Sequence, residues 1–209
     1  MARRQTPAST PPRTADAPGD SSRARMVQSA ASLIGSRGLN ATSFSEVVDD
    51  SGAPRGSIYH HFPDGKKQLA EEAIRWTSER VLAYQGAYSG QTAAGVLERF
   101  TGMWRQLVVN SGGTAGCVVA GVAIDSGADE NPLIQVVRAT FQAWVSLLAS
   151  QLEGAGIPAQ RSTSLALTIL AAMEGALILC RAEGNAAPLD AITGELLKLL
   201  PPETAERKL

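Results

Sequence analysis

Between Met26 and Leu199 the apolar residues of this chain recur at intervals of three and four, and no stretch alternates securely with period two. Met26, Val27, Ala30, Leu33 and Ile34 make one stripe with Arg23, Arg25 and Arg37 off it, closing near Gly38. Leu69, Ala73, Trp76 and Tyr84, flanked by Ile74 and Val81, predict a long connecting helix from about Lys66 into the 86–90 region. Ile134, Val137, Phe141, Trp144, Leu148 and Leu152 hold the spacing for about five turns, until Gly154-Ala155-Gly156 and Pro158 stop it. Val96–Val109, Ser162–Arg181 and Leu189–Leu200 read as further helices, the last ended by Pro201-Pro202. Gly116–Ala128 is β-branched enough, through Val118, Val119, Val122 and Ile124, to leave helix and strand both open, and is assigned as helix. The expected fold is all-α.

A chain of 209 residues with 44% hydrophobic and 19% charged content buries a real core. The formal net charge of −1 argues against a protein that coats polyanions, but the halves differ: residues 1–67 carry +3 and residues 68–209 carry −4. Cys117 and Cys180 stand far apart without metal-ligand spacing and read as buried thiols in a reducing compartment. No apolar run reaches the roughly 20 residues that span a bilayer; the nearest, Leu165–Cys180, is interrupted by Thr168 and Glu174. The Pro-rich residues 1–20 lack an apolar targeting core and are expected to be a disordered arm on a cytoplasmic protein. Its Arg3, Arg4 and Arg13 suit a minor-groove arm, with a solvated tail as the plainer reading.

Residues 21–67 carry the most specific pattern. Thr42 or Ser43 caps a short second helix, with Glu46 at capping-box distance from Ser43 and Phe44 and Val47 or Val48 on its apolar side. Ser51-Gly52 stops it, Pro54 suits the first position of a third helix, and Ile58, Tyr59 and Phe62 give that helix an apolar edge before Pro63-Asp64-Gly65. Two short helices about a glycine turn, behind a packing helix and ahead of a long one, make the frame of a helix-turn-helix reader, with Val48 and Ile58 packing across the turn. Arg55, Gly56, Ser57, Tyr59 and His60 then face outward. Arginine grips guanine or phosphate, glycine admits close backbone approach, and Ser57, Tyr59, His60 and His61 donate to phosphate oxygens. Thr42 and Lys66, at the starts of the second helix and of the long helix, are placed to clamp phosphates at either end.

Adjacent His60 and His61 point about 100° apart on a helix, and no Cys or acidic partner stands at ligand spacing, so no metal and no cofactor are expected. A nucleophile with its base and orienter is also missing, which argues against an enzyme. The alternative class is a helical protein-binding adaptor, whose binding would lack the steep salt dependence of phosphate contacts.

Gly38-Leu39-Asn40-Ala41-Thr42-Ser43-Phe44, Val47-Val48 and Ser51-Gly52-Ala53-Pro54-Arg55-Gly56-Ser57-Ile58-Tyr59-His60-His61-Phe62 together resemble the DNA-binding domain of TetR-type regulators. The likeness is strong over residues 21–75. The extra residue in Phe62-Pro63-Asp64-Gly65-Lys66 and the Gly116-Cys117 segment are similar to the LmrA/YxaF-like branch. The resemblance implies a homodimeric repressor that binds a palindromic double-stranded operator and is released by a small molecule. It places Thr42, Arg55, Gly56, Ser57, Tyr59, His61 and Lys66 at DNA-contacting positions, while His60 departs from the aromatic often found there.

Residues 68–209 are expected to bind the effector and to dimerise. Ser162–Arg181 is apolar nearly all round, more than one core covers on a single side, so with Leu189–Leu200 it suits a four-helix dimer interface. Phe100, Met103, Trp104 and Leu107 share a face that Phe141, Trp144 and Met173 could oppose, an adaptable set for a largely apolar effector. Asp125 and Glu174 are the acidic candidates for a cationic ligand.

Overall fold

The computed structural model describes residues 21–90, 92–127 and 132–201, which form nine helices and no strand among the described residues. The first is α1 (Ser22–Arg37), begun by the Ser21 hydroxyl accepting from the Ala24 N–H at 3.2 Å and closed by Gly38 at φ 88°. Next comes α2 (Phe44–Ser51), capped as expected: Ser43 Oγ accepts from the Glu46 N–H, and the Glu46 carboxylate accepts from the Ser43 N–H. Left-handed Gly52 (φ 63°) ends it, then α3 (Ser57–His61) and α4 (Lys66–Gly86) follow.

The third helix starts later than Pro54 predicts. Gly56 sits at φ 89°, a conformation an α-helix interior does not accommodate, so residues 54–56 form a turn in which the Ser57 N–H reaches the Pro54 carbonyl. Arg55 and Gly56 therefore precede the helix instead of riding on it.

The remaining helices are α5 (Ala93–Asn110), α6 (Val118–Asp125), α7 (Pro132–Gly154), α8 (Ala159–Glu183) and α9 (Ala187–Lys198). The β-branched run 118–124 is helical, while Ala128, Pro202 and the arm of residues 1–20 lie outside the described residues. By length and composition α7 and α8 could each cross a bilayer, which corrects the sequence reading: α8 runs past the Leu165–Cys180 segment at both ends. Here α7 packs on α8 and α4, and α8 on α9 and α5.

One continuous core joins the small N-terminal head to the body. Met26, Val47, Val48, Ile58 and Phe62 are buried in the head and Leu97, Trp144, Leu148 and Leu152 in the body, each large side chain stabilising by roughly 1.5–3 kcal/mol. The join is the packing of α1 on α4 and α6, and on the α6 side the backbones touch. A Cβ on Gly35 would lie 2.6 Å from the Gly116 carbonyl oxygen, and one on Gly121 2.6 Å from the Ile34 carbonyl oxygen. The body is tied within itself by buried Gln85, which donates to Gln151 Oε1 at 2.9 Å, and by the Arg105–Asp190 fork joining α5 to α9 at 2.6 and 3.0 Å.

Candidate nucleic-acid interface

Ile58 and Phe62 anchor α3 inward, which turns the intervening Tyr59 and His60 out. Tyr59 is 68% exposed, with the outward set and off the Ile58–Phe62 edge, and its ring packs T-shaped with Phe44 of α2, centroids 5.5 Å apart. Arg55 stands in the turn with its guanidinium 3.7 Å from Asp49, an exposed pair that is readily given up. Gly56 has nothing within 4 Å of a notional Cβ, so its left-handed backbone, not crowding, calls for glycine. The Ser57 hydroxyl donates to the Pro54 carbonyl at 2.7 Å, which braces the turn from within. His60 is exposed and His61 half-buried, their rings 5.5 Å apart.

The flanking residues are less free. Thr42 is only 4% exposed, its hydroxyl donates to the Gly38 carbonyl at 2.8 Å and its N–H to Leu39, so its side chain secures the loop and Ser43 takes the cap. Ser43's backbone and hydroxyl, with Arg37 beyond, hold the Glu46 carboxyl below its ordinary value. Lys66 Nζ reaches the Asn40 carbonyl at 3.2 Å. Arg25 Nε donates to the Ser51 carbonyl at 3.2 Å, and Arg23 lies over the Phe62 ring and pairs with Glu72 at 2.7 Å, fixing both short helices to α1 and α4.

Asp125, an acidic candidate for a cationic ligand, accepts through Oδ2 from the Asn40 N–H at 2.7 Å, clasping the end of α6 to the loop that leads into α2. Only the acidic end of an otherwise apolar helix hinted at this.

The structure brings together part of the expected apolar set. Trp104 and Trp144 lie with ring centroids 5.9 Å apart, and Phe141 meets Trp144 edge-on at 5.8 Å. Phe100 and Met173 are buried, Met103 is half-buried, and Leu107 is 42% exposed because the buried line of α5 runs through Leu97, Phe100, Thr101, Trp104 and Val108. Both indole N–H groups are buried without an acceptor among the described residues. Against α6, burial lifts the Glu174 carboxyl to about 7, and burial together with that carboxyl pushes the Cys117 thiol well above its usual range.

The family model described as bacterial regulatory proteins, tetR family, matches residues 27–73, and that of the transcriptional regulator LmrA/YxaF-like C-terminal domain matches residues 93–195. An HTH-type transcriptional regulator of Mycobacterium tuberculosis is 37% identical over 190 residues, covering 88% of this chain and 97% of that one. The HTH-type regulator LmrA of Bacillus subtilis is 27% identical over 174 residues, covering 82% and 92%. A TetR transcriptional regulator from Legionella pneumophila superposes with TM-score 0.76 at 25% identity, over 86% of this chain and 97% of that one. These relatives are transcriptional regulators, not enzymes. The chain belongs to the TetR family of helix-turn-helix transcriptional regulators, with a C-terminal domain of the LmrA/YxaF-like type.

Proposed function

We propose that this regulator is a cytoplasmic homodimeric repressor that reads a palindromic operator and releases it when a small, largely apolar effector binds residues 68–209. The observation that carries the reading part is the outward row Arg55, Gly56, Tyr59 and His60, mounted on a turn and a single helical turn that buried Ile58 and Phe62 hold rigid. Arg55 and Tyr59 are the base-reading candidates; Ser57, His60, His61 and Lys66 take phosphates, Lys66 exchanging the Asn40 carbonyl for a stronger anionic acceptor. Thr42 acts by shaping the loop.

The dimer reading is supported by α8, whose exposed stripe Leu167, Ala171, Gly175 and Ile178 bears no charge, with Leu167 59% and Ile178 65% exposed in the single chain. Small residues between large apolar ones suit close helix approach about a two-fold axis. Such a dimer sets its reading helices about 34–36 Å apart, one helical turn of DNA.

The test is retention of bound DNA by Arg55→Ala with Tyr59→Ala. Loss of retention from a dimer that stays folded is expected, and binding by the wild-type chain should fall steeply with salt. Unchanged retention contradicts the site. Salt-insensitive partner binding without DNA affinity favours the adaptor class.

A further inference from the structure

The Glu174 side chain stands where two cavities meet. One, of about 270 Å³, lies between α1, α6 and α8; the other, of about 410 Å³, lies between α7 and α8 against Phe141, Val145 and Leu170. Glu174 as a residue keeps some exposure, yet its Oε1 is out of solvent without a well-formed hydrogen bond among the described residues, and the weakly donating Cys117 thiol at the start of α6 is the group that interacts with the carboxyl. Leaving a buried acceptor unpaired costs roughly 1–3 kcal/mol, more when charged, and packing alone is served as well by leucine. A thiol is a weak donor and leaves most of the carboxyl's acceptor capacity unused, so the site suits a stronger donor from outside the chain.

We propose that the cavity between α1, α6 and α8 binds a compact, mostly apolar molecule carrying one hydrogen-bond-donating head, hydroxyl or ammonium, which docks on Glu174 Oε1. Ala120, Ile124 and Leu177 supply apolar wall, and the volume lies near the low end of small-molecule sites, roughly 300–1,000 Å³. Arg37, already paired with Glu46 at 2.8 Å, and Arg181 stand on the same wall and favour the neutral head; Asp125 favours the cation. The α7–α8 cleft is the poorer site, because Leu167 and Ala171 on its wall belong to the stripe assigned to the dimer, whereas that stripe gives the favoured cavity only Ile178.

The position matters as much as the chemistry. Gly38 and Asp125 line this cavity, so an occupant presses beside the Asp125–Asn40 clasp and on the α1–α6 contact, one of the two by which α1 meets the body. That regulatory consequence rests on the repressor reading; the binding itself does not.

The experiment titrates the full-length chain with phenethyl alcohol, phenethylamine and ethylbenzene by ligand-observed NMR. At least one donor-bearing probe is expected to bind about tenfold more tightly than ethylbenzene, a factor worth about 1.4 kcal/mol. Glu174→Leu should erase the preference, while Glu174→Gln, which keeps an acceptor, should retain it for the alcohol. Ala120→Leu, which narrows this cavity, should weaken binding, and Ser146→Phe, in the α7–α8 cleft, should not. Equal binding of all three probes, no binding of either donor probe, or weakening by Ser146→Phe alone overturns the proposal. Absent probe binding with DNA binding intact counts against this site only, and absent DNA binding with probe binding intact counts against the repressor reading only.

Discussion

The Asp125 carboxylate, at the end of α6, accepts a 2.7 Å hydrogen bond from the backbone N–H of Asn40, and the carbonyl of that same Asn40 accepts from Lys66 at the start of α4. One loop residue is thus held from the body by a carboxylate and from the connector helix by an ammonium. Lys66 is also a proposed phosphate contact, so DNA held at Lys66 and a ligand in the cavity beside Asp125 would act on neighbouring bonds.

Asp125→Ala should release that loop. Hydrogen bonds to charged groups contribute about 1.5–3 kcal/mol, and a partly exposed one falls at the low end. Amide exchange at Asn40 should accelerate by about tenfold, with little change in the buried amides of α7. Equal protection in both proteins would show that the clasp does not hold the loop.

Backbone contact between α1 and α6 predicts an asymmetry between glycines. Gly121→Ala places a Cβ against the Ile34 carbonyl and should destabilise by about 1–3 kcal/mol. Gly102→Ala, in the interior of α5 with nothing within 4 Å, should stabilise by about 0.5–1 kcal/mol. Thermal unfolding of the two variants checks this, and shifts of the same sign would contradict the close approach.

The raised Glu174 carboxyl gives stability a pH dependence of defined sign. The folded state binds this proton more tightly than the unfolded chain does, so the contribution is complete below the ordinary carboxylate value of 4.5 and is lost as pH rises through about 7. The loss is on the order of 3 kcal/mol at most. Denaturant midpoints should be higher at about pH 5 than at about pH 8, and Glu174→Gln should shrink that difference. An unchanged difference in Glu174→Gln would place its origin elsewhere.

How much of this was readable from the residues depended on range. The Ser43–Glu46 capping box and the Gly38 and Gly52 helix ends were legible because their partners stand within four residues. Pro54 misled because a local preference for a helix start lost to left-handed Gly56 two residues on. Leu107 was assigned by apolar character, whereas the face of α5 was set by Phe100, Trp104 and Val108; Tyr59, placed both on the apolar edge and in the outward set, turns outward because Ile58 and Phe62 take the core. The Asp125–Asn40 bond spans 85 positions, and the Gly35–Gly116 contact joins residues whose only signal is the lack of a side chain. Neither has a periodic signature, so both awaited the fold.

On the repressor reading, two copies of this chain present Arg55 and Tyr59 to successive major grooves of one operator. Selection of bound fragments from a random DNA pool by the full-length protein tests it most directly. Enrichment of an inverted repeat with half-site centres about one helical turn apart is expected, and Arg55→Ala and Tyr59→Ala combined should abolish it. Recovery of no common sequence, or of a single half-site bound by one copy, would contradict it.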